Sequence, residues 1–208
     1  MALRKILICG DPVLRKKAPK VREITEETRK LLDDMVETMI EAPGIGLAAP
    51  QVGHCTRCIV VRDCGEGEDD KVYKIVNPRV QSKEGEQWAY EGCLSLPTLQ
   101  AEVGRPMRIT VIGEDENGEP IRVQAEGLLA RALLHEIDHL DGILFIDRAE
   151  PYSIGWMIPD PSDEDGYRLE DATVAEVMAA FDRLRKRQAA QEAQAAEQEC
   201  AASDERKE

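Results

Sequence analysis

The chain has 208 residues, enough for one domain with a substantial core plus an extension. Its formal net charge of −14 excludes broad electrostatic binding to nucleic acid, DNA included, and leaves only a local basic patch to dock on RNA. No apolar run approaches membrane-spanning length, and the stretch from Met1 to Ile8 is too short and too charged for a signal peptide, so a cytoplasmic protein without a membrane partner is expected.

In chain order, Ile24 to Glu41 reads as a helix. Leu31, Leu32, Met35, Val36, Met39 and Ile40 recur at helical spacing, Thr25 is the N-cap, and Glu26 and Glu27 sit in the first turn. Pro43-Gly44 ends it. Next comes Gly44-Ile45-Gly46-Leu47-Ala48-Ala49-Pro50-Gln51, in which two glycines let the backbone approach a ligand and Gln51 offers an amide donor. It lacks the Gly-Lys-Ser/Thr ending of a phosphate loop.

A strand follows near Cys58 to Arg62. His54-Cys55-Thr56-Arg57-Cys58 with Cys64 resembles half of a zinc knuckle, but a second Cys/His pair at matching spacing is missing, and residues three apart on a strand point to opposite faces. In a cytoplasmic chain the six cysteines are expected as thiols. An acidic Gly-rich loop runs from Asp63 to Asp70. Val72–Val76, Arg108–Ile112 and Ile121–Ala125 read as strands, the last two joined by a turn at Glu116-Asn117-Gly118. Glu91-Gly92-Cys93-Leu94-Ser95, followed by Pro97, reads as a rigid, exposed turn. Strands clustered before one central helix suggest an α+β fold, with a C-terminal helical extension.

Gly127 precedes the helix that carries His135-Glu136-Ile137-Asp138-His139. At positions i and i+4 two imidazoles lie one turn apart on one face and converge on one metal ion, with Glu136 placed as a general base for an activated water. Leu128, Leu129, Ala132, Leu133 and Ile137 surround the motif with apolar residues, and polar groups set in such a face have to be paired or ligated. For the third ligand, Asp147 and Glu150 lie downstream, but Cys93 is the better candidate. Two His and one Cys leave a coordination position open for water.

Residues 151–172 read as an exposed acidic loop containing Pro151, Pro159 and Pro161. Residues 173–208 begin with a capping box at Thr173-Val174-Ala175-Glu176, and Val174, Val177, Met178, Phe181 and Leu184 form an apolar stripe expected to pack on the parent domain. The chain then passes into a low-complexity tail. Residues 1–150 form the expected catalytic unit.

The Gly-rich segment, Glu91-Gly92-Cys93-Leu94-Ser95 and His135-Glu136-Ile137-Asp138-His139, in that order, resemble the peptide deformylase family, whose pattern is G-x-G-x-A-A-x-Q, E-G-C-x-S and H-E-x-x-H. The likeness covers residues 3 to 148. It implies removal of the formyl group from N-formylmethionine on newly made polypeptides. It implies Cys93, His135 and His139 as metal ligands and Glu136 as general acid/base. It further implies antiparallel sheets around the metal helix, Gln51 and the Leu94 N–H as the groups that hold the oxyanion, Gly46 as a backbone contact to the substrate, and Ile45 and Leu128 as lining of the methionine pocket. One divalent ion is implied, Fe²⁺ ahead of Zn²⁺, Ni²⁺ or Co²⁺. Nascent formylated chains are the partners, with a transient ribosome contact through Arg183, Arg185, Lys186 and Arg187. The likeness also pairs Glu91 with Arg105. The chain departs from the family at Leu134, where many members carry Gln, and in the sixty residues after Arg148. The alternatives are an H-E-x-x-H metallopeptidase with a downstream third ligand, and a non-enzymatic binding module whose metal is fully coordinated by protein.

Overall fold

Two antiparallel sheets and three α-helices give the described residues an α+β fold. A computed structural model describes residues 2–65, 71–163 and 166–204, with side chains described up to residue 191. The loop expected at 63–70 therefore lies largely outside the described residues.

The elements are α1 (Glu26–Glu41), β1 (Gly46–Ala48), β2 (Cys58–Asp63), β3 (Lys71–Glu84), β4 (Gln87–Cys93), β5 (Leu96–Arg105), β6 (Arg108–Glu114), β7 (Pro120–Glu126), α2 (Gly127–Leu140), β8 (Gly155–Pro159), β9 (Tyr167–Asp171) and α3 (Val174–Asp204). One sheet has the order β1-β2-β3-β6-β7, the other β4-β5-β8-β9. Every pairing is antiparallel.

Strand β2 shows why the first sheet needs helices on both faces. Ile59 and Val61 pack towards α2, while Cys58 and Val60 pack towards α1. A strand with both faces covered reads as a continuous apolar run, as Cys58-Ile59-Val60-Val61 does. Cys58 is thus a core side chain whose thiol burial pushes up to about 11, while Cys64 is exposed. Among the described residues, the half-knuckle side chains form no group close enough to share a metal ion. Thr25 caps α1 by accepting from the Thr28 N–H. Asp34 of α1 anchors the N-terminus by accepting from the Ala2 N–H at 2.8 Å and from Arg4.

Three expectations change. Strand β3 runs on to Glu84, because Asn77 (φ 52°) makes a bulge instead of an end, its side chain bonding the Val21 N–H and C=O. Cys93 is the end of β4, paired with Leu96 and half-buried, where an exposed turn was expected. The described part of residues 151–172 is more than an exposed loop. It holds the β8–β9 hairpin, which β5 pairs through Leu99 with Trp156, and Ile154 and Ala172 are buried. The apolar alternation of Trp156 and Ile158 was masked by flanking prolines and acidic residues.

Helix α3 begins with the capping box, Thr173 and Glu176 bonding reciprocally. The middle of its stripe packs on the domain: Val177 and Phe181 are buried, with Met178 beside Cys9, while Val174 and Leu184 at its ends are exposed.

Candidate metal centre

Helix α2 uses its faces differently. Leu133, Leu134, Ile137 and Leu140 join the core under the first sheet. His135, Glu136 and His139 are buried as well but meet Cys93 from the second sheet. Cys93 Sγ lies 3.2 Å from His139 Nε2. One ligand atom from each of Cys93, His135 and His139 falls within 4.8 Å of the others, and no other such group exists among the described residues.

The surroundings suit a metal. Glu91 accepts from His135 Nδ1 at 2.9 Å, which turns the other ring nitrogen towards Cys93. A carboxylate behind a ligating imidazole fixes its tautomer and orientation. Burial holds His139 well below its ordinary pKa, hence neutral, the form that binds metals. For His135 burial acts in the same direction, but Cys93 and Glu91 outweigh it and raise the pKa. Thiolate and imidazole donors suit zinc or ferrous iron.

Glu136 is buried and its Oε2 has no hydrogen-bond partner. Burial lifts its carboxyl to about 7, so it can both take up and release a proton near neutral pH. Gly46 makes room for it: a Cβ there would stand 2.5 Å from Glu136 Oε1. Gln51 is fixed at both ends of its amide. Oε1 accepts from the Ala48 N–H at 2.8 Å, and Nε2 donates to Ser95 Oγ at 3.2 Å and lies 3.5 Å from Cys93 Sγ. These groups open onto a cavity of about 680 Å³ that is also lined by Ile45, Leu94 and Leu128. Eight of the nine residues singled out for the site line this space, and His139 sits against one of them, Cys93. Asp147, the alternative third ligand, is engaged elsewhere, by Arg15 and the Leu144 N–H.

Glu91 and Arg105 form a buried bidentate pair at 2.9 Å. Sequence reasoning missed what extends it. Arg131 also binds Glu91, at 2.7 Å, and Asp138 accepts from Arg105 and Arg148. Arg131 lies four residues before His135 and Asp138 three after it, a spacing that puts them on neighbouring positions of the α2 surface. Buried opposite charges in alternation outweigh the desolvation of Glu91, whose carboxyl is held well below its usual range by Arg105 and His135.

Residues 3–153 match the family model described as polypeptide deformylase. The chain is 54% identical over 151 residues to the peptide deformylase of Natranaerobius thermophilus, covering 72% of this chain and 94% of that protein. It is 51% identical over 148 residues to that of Caldicellulosiruptor bescii, covering 71% and 86%. The crystal structure of peptide deformylase from Thermotoga maritima superposes with a TM-score of 0.68 at 40% identity, covering 73% of this chain and all of that one.

Proposed function

The chain belongs to the polypeptide deformylase family, and from that premise we propose which of its residues remove the N-formyl group from nascent polypeptides. Cys93, His135 and His139 hold one divalent ion, for which we assign Fe²⁺ ahead of Zn²⁺, Ni²⁺ or Co²⁺. A bound ion of this kind supplies a water acidic enough to act as a nucleophile near neutral pH.

The protein's own groups do the rest. The formyl amide and water become formate and a free amine. Glu136 takes the proton of the attacking water on its unpaired oxygen and returns it to the leaving nitrogen. Gln51 Nε2 and the Leu94 N–H donate to the oxygen on which negative charge develops, each such donor contributing about 3–4 kcal/mol. The Gly46 backbone aligns the substrate chain, and Ile45 and Leu128 flank the methionine side chain. Three donor atoms and an unpaired carboxylate meeting at one cavity carry this assignment.

We place the catalytic unit at residues 1–150, with α2 as its metal-binding helix. We place the enzyme in the cytoplasm, where new chains emerge. Among the described residues no helix is long and apolar enough to cross a membrane. A transient ribosome contact through Arg183, Arg185, Lys186 and Arg187 of α3 belongs to the same proposal.

The test is formate release from a formyl-Met peptide set against cleavage of its unformylated counterpart. Formate without backbone cleavage supports the assignment. Backbone cleavage that survives Cys93→Ala would instead favour a metallopeptidase.

A further inference from the structure

One wall of the cavity comes from beyond the stretch that matches the family model. The family match ends at residue 153, yet Met157, on β8, lines the same space as Cys93, His135 and Glu136. The placement follows from strand geometry. Strand β8 is held on β5 through the pairs Leu99 with Trp156 and Gln100 with Gly155. Successive side chains on a strand point to opposite faces. Trp156 turns to α3, its ring centroid 5.6 Å from that of Phe181, so Met157 turns the other way, into the cavity. Pro97, Thr98 and Leu99 of β5 also line the cavity.

The volume gives this wall something to contact. About 680 Å³ lies in the range that takes a drug-sized ligand, more than one amino-acid residue occupies. The groups assigned to the formyl-methionine end, Ile45, Leu128 and the metal centre, account for only part of the lining.

We propose that Met157 is a specificity-determining residue. It packs on the substrate side chains that follow the methionine and favours apolar ones. Methionine suits that role, because its unbranched, polarizable side chain adapts to partners of different shape. Substrates that share a first residue and differ afterwards call for such a surface. The hairpin is therefore part of the substrate site, held from behind by Trp156 on α3. The inference rests on the deformylase assignment.

The test compares kcat/KM for formate release from two peptide series, formyl-Met followed by Gly and formyl-Met followed by Leu, with positions two and three varied separately. The full-length enzyme, Met157→Ala, Met157→Lys and Met157→Leu are measured. Met157→Ala is expected to shrink the Leu-over-Gly preference by about tenfold at one position, the scale of a lost apolar pocket contact. Met157→Leu should restore most of it, and Met157→Lys should reduce it further while favouring Glu at that position. A hairpin with a merely structural role would lower all peptides together. A Leu-over-Gly ratio unchanged within twofold in every variant, at both positions, overturns the inference while leaving the deformylase assignment in place. No formate from either series with the unaltered enzyme overturns both.

Discussion

Arg105 holds two acidic side chains near the candidate ligand His135: Glu91, in a bidentate pair at 2.9 Å, and Asp138 on α2. Glu91 in turn orients His135. One guanidinium therefore ties β4, β5 and α2 together behind the metal centre. Arg105→Ala leaves buried carboxylates short of a partner and should lower stability by about 3–5 kcal/mol, read by chemical denaturation. It should also weaken metal binding by roughly 10–100-fold, the usual effect of losing an outer partner of a ligand. Arg105→Lys should not restore either property, because an ammonium cannot reproduce the fork. Metal affinity equal to the unaltered protein in a chelator competition would refute the link.

Glu136 is the second case where geometry predicts a separable effect. Glu136 lines the cavity, its buried Oε2 has no hydrogen-bond partner, and it belongs to none of the three donor positions. Glu136→Ala should retain near-stoichiometric metal by elemental analysis. Formate release should fall by about 10²–10⁴-fold, the range of a general base. Near-normal turnover in the metal-loaded variant would remove Glu136 from the mechanism.

The site was far more legible in the sequence than its support. Cys93, His135, Glu136 and His139 are chemically distinctive and tightly spaced. Their convergence follows from helix periodicity and the need of a metal for a third ligand. Arg131 and Asp138 carry no such mark, since a charged residue on a helix is ordinarily solvated; only the contact with β4 and β5 reveals them as buried. The same holds for strands. Cys58–Arg62 and Arg108–Ile112 announce themselves by apolar β-branched residues. Strand β4, Gln87-Trp88-Ala89-Tyr90-Glu91-Gly92-Cys93, has one edge and one face shaped by the cavity and shows no clean alternation. Hairpin β8–β9 is stabilised by distant partners, β5 and α3, which local pattern cannot supply.

Oxidation should find Cys93 first. Its sulfur lines the open cavity, whereas Cys9 and Cys58 are buried and burial raises their thiol pKa values. Thiolate at an accessible iron site climbs the oxidation ladder readily. Iron-loaded enzyme should lose activity in air faster than zinc- or nickel-loaded enzyme. Mass spectrometry should locate added oxygen on Cys93 before Cys55 or Cys58. Activity lost with Cys93 unmodified would point to another cause.

The end of α3 tests the ribosome contact. Phe181 and Val177 bury the start of the helix, while Lys186 is largely exposed and paired to Asp182 at 2.8 Å. Deleting residues 183–208 keeps the buried stripe up to Phe181 and should leave turnover of a short formylated peptide intact. Cosedimentation with ribosomes should weaken, and salt should weaken it in the intact protein, as phosphate contacts require. Equal ribosome binding by both forms at low salt would reject the contact.

Asp34 should govern part of the acid stability. Burial alone would raise its carboxyl, but hydrogen bonds from the Ala2 N–H, Arg4 and Lys30 outweigh it and hold the value at about 2 against an ordinary 3.8. The folded state thus binds fewer protons than the unfolded one between those values, so folding is favoured by deprotonation there. The contribution is complete above about pH 4 and disappears as pH falls towards 2. Asp34→Asn should be less stable at neutral pH, since Arg4 and Lys30 lose a charged partner, and its stability should fall less steeply across that acid window. Parallel stability curves for the two proteins between pH 4 and 2, by denaturant titration at each pH, would show that the Asp34 anchor plays no part.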